Sequence, residues 1–148
     1  MRPSEEHLIC EGGYFRAEQC GDCCVPGYVI LSARGSATSI SGLSPAALNN
    51  LGPRLALLIR AIEAVVRPEL VYCARFGEEV KALHFHLFPR TAELARAFLA
   101  DIGTGTTLNG PLLLDWARER HTFLAGSSAE RAKVHEVTHG IREYVKAD

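Results

Sequence analysis

The chain has 148 residues, of which 47% are hydrophobic and 22% are charged, and its formal net charge is −1. This length suits one domain with its own hydrophobic core, and the nearly neutral charge argues against a general nucleic-acid-binding protein with a broad basic face. No run approaches the roughly 18 apolar residues that cross a bilayer, and residues 1–6 lack the apolar core of a secretory signal. We therefore expect a soluble cytoplasmic protein with neither a nucleic-acid nor a membrane partner.

Residues 7–76 have the pattern of strands around one long helix. Residues 7–10 and 14–18 flank a turn signal at 11–13, which predicts a hairpin. The continuous apolar run 28–32 predicts a strand near the middle of a sheet, and 70–76 predicts a further strand. The latter pairs as a hairpin with the segment 82–90, through a turn at 77–79.

A long amphipathic helix is predicted between these strands. Ser44 is a preferred N-cap residue, Pro45 is tolerated in a first helical turn, and apolar residues recur at helical spacing as far as Val66. Gly52 and Pro53 interrupt the pattern, because proline lacks an N–H donor and crowds the preceding turn. We predict a kink at this point, or a short helix followed by a longer one.

After residue 90 the pattern becomes helical. Helices are predicted over 91–101, over 111–120 and from Ser127 or Ser128 to Val145, with a loop at 103–110. The many charged residues of the last helix indicate that it is well solvated. His135 and His139 have the i, i+4 spacing that can hold a metal ion, but no third ligand is evident, so we interpret them as surface histidines.

The five cysteines, at positions 10, 20, 23, 24 and 73, favour reduced thiols over a disulfide framework. Cys20 and Cys23 have the C-x-x-C spacing of many metal and redox sites. However, no second such pair follows, and a redox site of the thioredoxin type opens a helix, whereas a strand-like run follows here. We favour small buried thiols, with a metal or redox site as the alternative.

The segment 82–90, Ala-Leu-His-Phe-His-Leu-Phe-Pro-Arg, is the most informative part of the sequence. Alternate residues of a strand point to opposite faces, so His84 and His86 share one face with Ala82, while Leu83 and Phe85 point to the other. Imidazole titrates near neutral pH, which suits nucleophilic attack, proton transfer or metal ligation. We interpret the pair as functional, and a structural pair of hydrogen-bonded histidines is the alternative.

The order of these features resembles the histidine triad (HIT) superfamily of nucleotide hydrolases and transferases. The likeness covers roughly residues 7–90, and its motif is His-φ-His-φ-His-φ-φ, in which φ is apolar. It implies a HIT-like α+β fold, in which a long helix packs on an antiparallel sheet of about five strands. We expect a single domain over residues 1–148, with extra C-terminal helices at about 91–148, assembled as a homodimer.

The resemblance also implies a mechanism and a set of site residues. In the family, the middle histidine attacks the α-phosphate of a nucleotide, and water or another acceptor resolves the nucleotidyl-histidine intermediate. His84 matches this position, and His86 matches the third histidine, which binds phosphate oxygens and the leaving group. The nucleotide-binding residues implied are Asp22, Tyr28, Gly77 and Glu79.

Several positions depart from the family pattern. Ala82 replaces the first histidine of the triad, and Tyr28 replaces a further histidine that follows a Pro-Gly turn in many members. Cys20 occupies the place of the residue that binds the ribose hydroxyls, with Asp22 two positions later as a substitute.

The turn before the triad also differs. It is often Gly-Gln-Ser or Gly-Gln-Thr in the family and is Gly77-Glu78-Glu79 here. Two carboxylates at this turn would repel phosphate unless Lys81, Arg75 or a metal offsets them.

Three functions agree with these residues. The one we favour is a hydrolase or transferase that acts, without a cofactor, on a phosphoanhydride or phosphoramidate bond of a nucleotide, a dinucleoside polyphosphate among the candidates. The second is a nucleotide-binding protein with little or no turnover. The third is a site for zinc or another divalent metal, at which Cys20 or Cys23 meets His84 or His86.

Overall fold

The computed structural model describes residues 5–103, 105 and 107–148, so the prediction for residues 1–4 and part of the predicted loop 103–110 lie outside it. An antiparallel five-stranded sheet has the strand order β1-β2-β3-β5-β4. Its strands are β1 (Leu8–Glu11), β2 (Phe15–Gln19), β3 (Val29–Ala33), β4 (Leu70–Ala74) and β5 (His84–Arg90). The helices are α1 (Pro45–Val66), α2 (Ala92–Ile102), α3 (Gly110–Arg120) and α4 (Ser128–Ala147). The predicted α+β fold is therefore confirmed.

Helix α1 begins as its sequence predicts. The Ser44 hydroxyl accepts a hydrogen bond from the Ala47 N–H at 3.2 Å, which caps the first turn. The helix runs without interruption through Pro53, so the predicted alternative of two separate helices is wrong. Pro53 and Asn49 are exposed, so water can bind the Asn49 carbonyl that the proline leaves without a donor. The predicted kink stays a prediction.

Strand β5 begins at His84, two residues later than predicted. Ala82 and Leu83 belong to the connection from β4. The Leu83 carbonyl still accepts from the Ala33 N–H of β3 at 2.9 Å, but the Leu83 N–H donates to the Ala37 carbonyl at 2.9 Å, outside the strand ladder. The last ladder pair is Ser32 with His84. Consequently Ala82 lies in an exposed loop rather than on the strand.

One face of the sheet packs against α1 and α4. Inward-pointing residues of β3 and β5, such as Leu31 and Leu87, are fully buried in the same cluster as Leu58 of α1 and Ile141 of α4. The expectation that the last helix is well solvated is therefore wrong for one side of α4. Its charged residues occupy the other side, as in an ordinary amphipathic helix.

The opposite face of the sheet carries the histidines and is called the histidine face below. Its residues on β3 and β5 are Ile30, His84, His86 and Phe88, together with Tyr28 immediately before β3. Helices α2 and α3 cover the Phe88 end and enclose a second core. The His84 end remains partly open to solvent.

Within the described residues, no helix combines the length and the apolar character required to cross a lipid bilayer.

Candidate active site

The two histidines lie side by side on the histidine face. Their ring centroids are 4.9 Å apart, with an angle of 68° between the ring planes. His84 is half-buried at the open end, whereas His86 is only 7% exposed. The alternation of side chains along a strand predicts this arrangement. It places a solvent-accessible imidazole beside a buried one.

A backbone hydrogen bond fixes the orientation of His84. Its Nδ1 lies 2.7 Å from the carbonyl oxygen of Ala82. A carbonyl oxygen only accepts, so Nδ1 must be the protonated nitrogen. In the neutral ring, Nε2 then carries a free lone pair, which is the requirement for a nucleophile.

His86 has the opposite arrangement. The Tyr28 hydroxyl lies 2.7 Å from its Nδ1, and Tyr28 is completely buried. Burial raises the pKa of Tyr28 above its usual range, so the hydroxyl keeps its proton. Among the described residues the buried hydroxyl has no acceptor other than His86 Nδ1, so we assign Tyr28 as the donor of this bond. Burial, and secondarily the charges of His84 and Arg118, lower the pKa of His86 to about 4. His86 is therefore neutral at neutral pH, with its remaining proton on Nε2.

Tyr28 makes its contacts inside the protein, and its predicted role in nucleotide binding stays a prediction. The prediction treated it as a nucleotide-binding residue, but the 0% exposed side chain has its hydroxyl on His86 and its ring against Phe88. In this structure Tyr28 therefore orients His86.

The loop before Tyr28 is held by a buried amide that the sequence analysis missed. The Gln19 side chain is 1% exposed, donates to the Val25 carbonyl at 2.9 Å and accepts from the Gly27 N–H at 3.0 Å. Gly27 has φ +80°, and a Cβ there would lie 2.5 Å from a Val66 methyl group. Only glycine fits this turn without displacing its neighbours.

The cysteine pair lies near this loop. The Sγ atoms of Cys20 and Cys23 are 3.8 Å apart, and the Cys23 thiol donates to the Cys20 sulfur, which lowers the pKa of Cys20. All five cysteines are free, and Cys20, Cys23 and Cys24 are buried. The reduced state of the thiols stays a prediction, with which these free cysteines agree. In the part of the chain that the structure describes, no three His, Cys, Asp or Glu residues are grouped so that they could hold a metal ion.

The remaining predicted site residues lie at the surface. Asp22 is exposed, and its backbone carbonyl accepts from the Phe123 N–H at 2.9 Å. The Gly77 N–H donates to the Glu78 carboxylate at 2.9 Å, and this bond lowers the pKa of Glu78. That N–H is therefore already occupied by an anion from the same loop. Glu79 is exposed.

An apolar groove adjoins the histidines on the side of β4. It has a volume of about 330 Å³, and its lining includes Tyr72, Ala74, Phe76 and Leu114. The Phe76 ring also contacts His86, with 5.4 Å between centroids. The apolar groove thus lies beside His86, with Phe76 in contact with both.

Comparison with solved structures identifies the fold, whereas comparison of the sequence does not. No known family model and no curated protein matches the sequence. Solved structures do match. A hypothetical histidine triad nucleotide-binding protein from Sulfolobus tokodaii superposes with a TM-score of 0.63 at 13% identity, covering 95% of this chain and 84% of that one. A histidine triad protein from Bradyrhizobium japonicum gives a TM-score of 0.62 at 19% identity, covering 91% and 90%. The protein has the histidine triad fold.

A further structure, from a different organism, matches over nearly the whole chain. Diadenosine triphosphate hydrolase from Plasmodium falciparum has a TM-score of 0.62 at 10% identity, with 99% of this chain and 80% of that one covered. These longer matches include the region after residue 90, where the resemblance noted in the sequence stopped. The likeness is one of fold, because identity is low throughout.

Proposed function

We propose that the protein is a nucleotide hydrolase or nucleotidyltransferase of the histidine triad type, with His84 as the nucleophile. The observation that carries this proposal is the hydrogen bond from His84 Nδ1 to the Ala82 carbonyl, at 2.7 Å. It leaves Nε2 of a partly exposed imidazole with a free lone pair, next to a second imidazole that offers a proton.

The chemistry is a double displacement at phosphorus. His84 Nε2 forms a bond to the α-phosphorus of a nucleotide while the bond to the leaving group breaks, and the leaving group takes the electron pair. The Nε2–H of His86 donates a hydrogen bond to a phosphoryl oxygen or to the departing atom, where negative charge gathers. Water then attacks the same phosphorus, releases the nucleotide and restores His84; in a transferase another acceptor replaces water.

The alanine at position 82 is compatible with this mechanism. In the structure, residue 82 contributes its backbone carbonyl to His84, and a carbonyl is present whatever the side chain is. The substitution removes a donor that would help to hold phosphate. It does not remove the group that orients the nucleophile.

The substrate class is supported by what the structural neighbours are. One is described as a histidine triad nucleotide-binding protein and another as a diadenosine triphosphate hydrolase. We propose a nucleotide substrate with a phosphoanhydride or phosphoramidate bond at the α-phosphate, dinucleoside polyphosphates included.

A second candidate is a protein that binds nucleotides with little or no turnover. One observation favours it: the Gly77 N–H, in the loop beside the triad, is occupied by the Glu78 carboxylate. An anion at this position competes with phosphate for the loop.

We also propose that the protein is a homodimer, as the resemblance implies. Strand β4 is an edge strand of the sheet, and its Leu70 is 47% exposed. An exposed apolar edge is suited to pairing with a second copy. Sedimentation of the purified protein distinguishes dimer from monomer.

Turnover of a nucleotide panel tests the function. Nucleoside diphosphates and triphosphates, dinucleoside polyphosphates and adenosine phosphoramidate are incubated with the parent, His84→Ala, His86→Ala and, as a matched control, His139→Ala on the exposed side of α4. We expect hydrolysis of at least one substrate by the parent and the control, and none by His84→Ala. Tight binding with no turnover of any substrate would instead support the second candidate.

A further inference from the structure

Helix α3 crosses the histidine face and lines the apolar groove beside His86 with Gly110, Pro111 and Leu114. At its start, a Cβ on Gly110 would lie 3.1 Å from the ring of Tyr72 on the edge strand β4. Beyond its end, Thr122 pairs with Cys23, in the loop between β2 and β3. The helix therefore passes over β5 and β3 at the Phe88 end of the histidine face, on the side of His86.

The face that α3 turns toward the sheet carries one cation. Leu114 and Ala117 are buried against the second core, which includes Tyr28 and Phe88. Arg118 follows Ala117 directly and lies one turn after Leu114, so its half-buried side chain stays near this face. After burial and His84, its positive charge is a further cause of the lowered pKa of His86. At Tyr28 the same charge opposes the rise in pKa that burial causes.

Arg118 differs from Arg75 and Arg90 because no described residue binds its guanidinium. Arg75 donates to the Thr38 carbonyl, and Arg90 forms an ion pair with Glu69 at 3.6 Å. Arg118 makes no hydrogen bond or ion pair with any residue in the described part of the chain. A partly buried guanidinium without an anion is costly, and a bound anion would satisfy it.

We propose that Arg118 binds an anionic oxygen of the nucleotide phosphate held at His84 and His86. Helix α3 thereby supplies a positive charge at a site whose residue 82 offers no side-chain donor. The guanidinium carries fixed donors that match phosphate geometry. The inference rests on the proposed function only in that the ligand is a nucleotide; it requires no turnover.

Binding measurements test this assignment. Calorimetric titration with AMP and with adenosine compares the parent, Arg118→Gln, Arg118→Lys and the control Arg120→Gln, an exposed position on the same helix. For Arg118→Gln we expect AMP affinity to fall roughly ten- to hundredfold, the effect of one charge-assisted hydrogen bond, while adenosine affinity is unchanged. Arg118→Lys should retain part of the AMP affinity, and Arg120→Gln should bind like the parent.

A second measurement needs no ligand. Because the Arg118 charge lowers the pKa of His86, Arg118→Gln should raise that pKa in an NMR titration of the free protein, and Arg118→Lys should restore it. A single set of dispersed ring signals shows that each variant is folded.

The outcomes separate this inference from the proposed function. If the parent binds AMP without turnover and Arg118→Gln does not bind it, the proposed function fails and the role of Arg118 stands. If Arg118→Gln is folded and binds AMP as tightly as the parent, the role of Arg118 is wrong, whatever the turnover. A parent that binds AMP no better than adenosine overturns the inference as well.

Discussion

The Tyr28 hydroxyl and the Nδ1 atom of His86 are 2.7 Å apart, and both side chains are buried. This hydrogen bond decides which nitrogen of His86 is protonated. Because tyrosine is the donor, Nδ1 accepts and Nε2 keeps the proton. In His84 the Ala82 carbonyl has the reverse effect. The two neighbouring imidazoles therefore have different roles, one with a free lone pair and one with a donor.

Replacing Tyr28 by phenylalanine removes this donor and keeps the ring. We expect kcat to fall about tenfold or more, because His86 loses the group that fixes its tautomer. The free energy of unfolding should fall by about 1–3 kcal/mol, the cost of an unsatisfied buried polar atom. Activity assays and urea unfolding measure both effects. Tyr14→Phe, at a position that is 42% exposed, is the control, and equal effects in the two variants would contradict this role of Tyr28.

The opposite tautomers of the two histidines can be observed directly. Long-range proton–nitrogen correlation spectra at neutral pH should show His84 protonated at Nδ1 and His86 protonated at Nε2. In Tyr28→Phe only the His86 pattern should change. Spectra in which both rings carry the proton on the same nitrogen in the parent protein would contradict the assignment.

Stability should fall on acidification because of His86. Its folded pKa of about 4 lies below the usual value of 6.5. Between these values the unfolded chain binds the additional proton, so the contribution of His86 is fully present above about pH 6.5 and is lost as the pH falls toward about 4. The loss is on the order of 2–3 kcal/mol.

Unfolding of the parent and of His86→Asn at several pH values isolates this contribution. Burial also lowers the pKa of His7, but His7 is present in both proteins and cancels in the difference. The parent should lose more stability than the variant as the solution becomes acidic. Identical pH slopes would show that His86 is not titrating in this way.

The turn before Tyr28 should tolerate only glycine. Gly27→Ala places a Cβ 2.5 Å from Val66 at a positive φ, and we expect a loss of about 1–3 kcal/mol with reduced activity, because Tyr28 follows directly. The matched control is Gly52→Ala in α1, where a Cβ meets nothing within 4 Å. This control should gain up to about 1 kcal/mol from helix propensity. A Gly27→Ala protein as stable as the parent would contradict the packing described here.

Local pattern was sufficient for much of this fold. Alternation along 84–88 put both histidines on one face, and the Ser44 cap marked the start of α1, because each depends on residues close in sequence. Local sequence pattern did not predict features that depend on contacts between residues far apart in the chain. Ala82 was predicted to lie on the strand, but a hydrogen bond from Leu83 to Ala37, 46 positions earlier in the chain, ends the ladder before it.

The site shows the same limit. Tyr28 was recognised as a replacement for a histidine, but its bond to His86 joins residues 58 positions apart and was not predicted. Arg118 was not considered at all, because only the direction in which α3 crosses the sheet brings it near the histidines. Gln19 was missed because one amide inside a strand-like run carries no signal of its own.

The most direct measurement of the central claim is the covalent intermediate. The parent protein is mixed with a substrate that it turns over, quenched in base to preserve a phosphorus–nitrogen bond, and analysed by intact-mass and peptide mass spectrometry. We predict an added nucleotide on His84 that is lost in acid and is absent from His84→Ala. Turnover by His84→Ala at the parental rate, or an adduct located on His86 instead, would contradict the account.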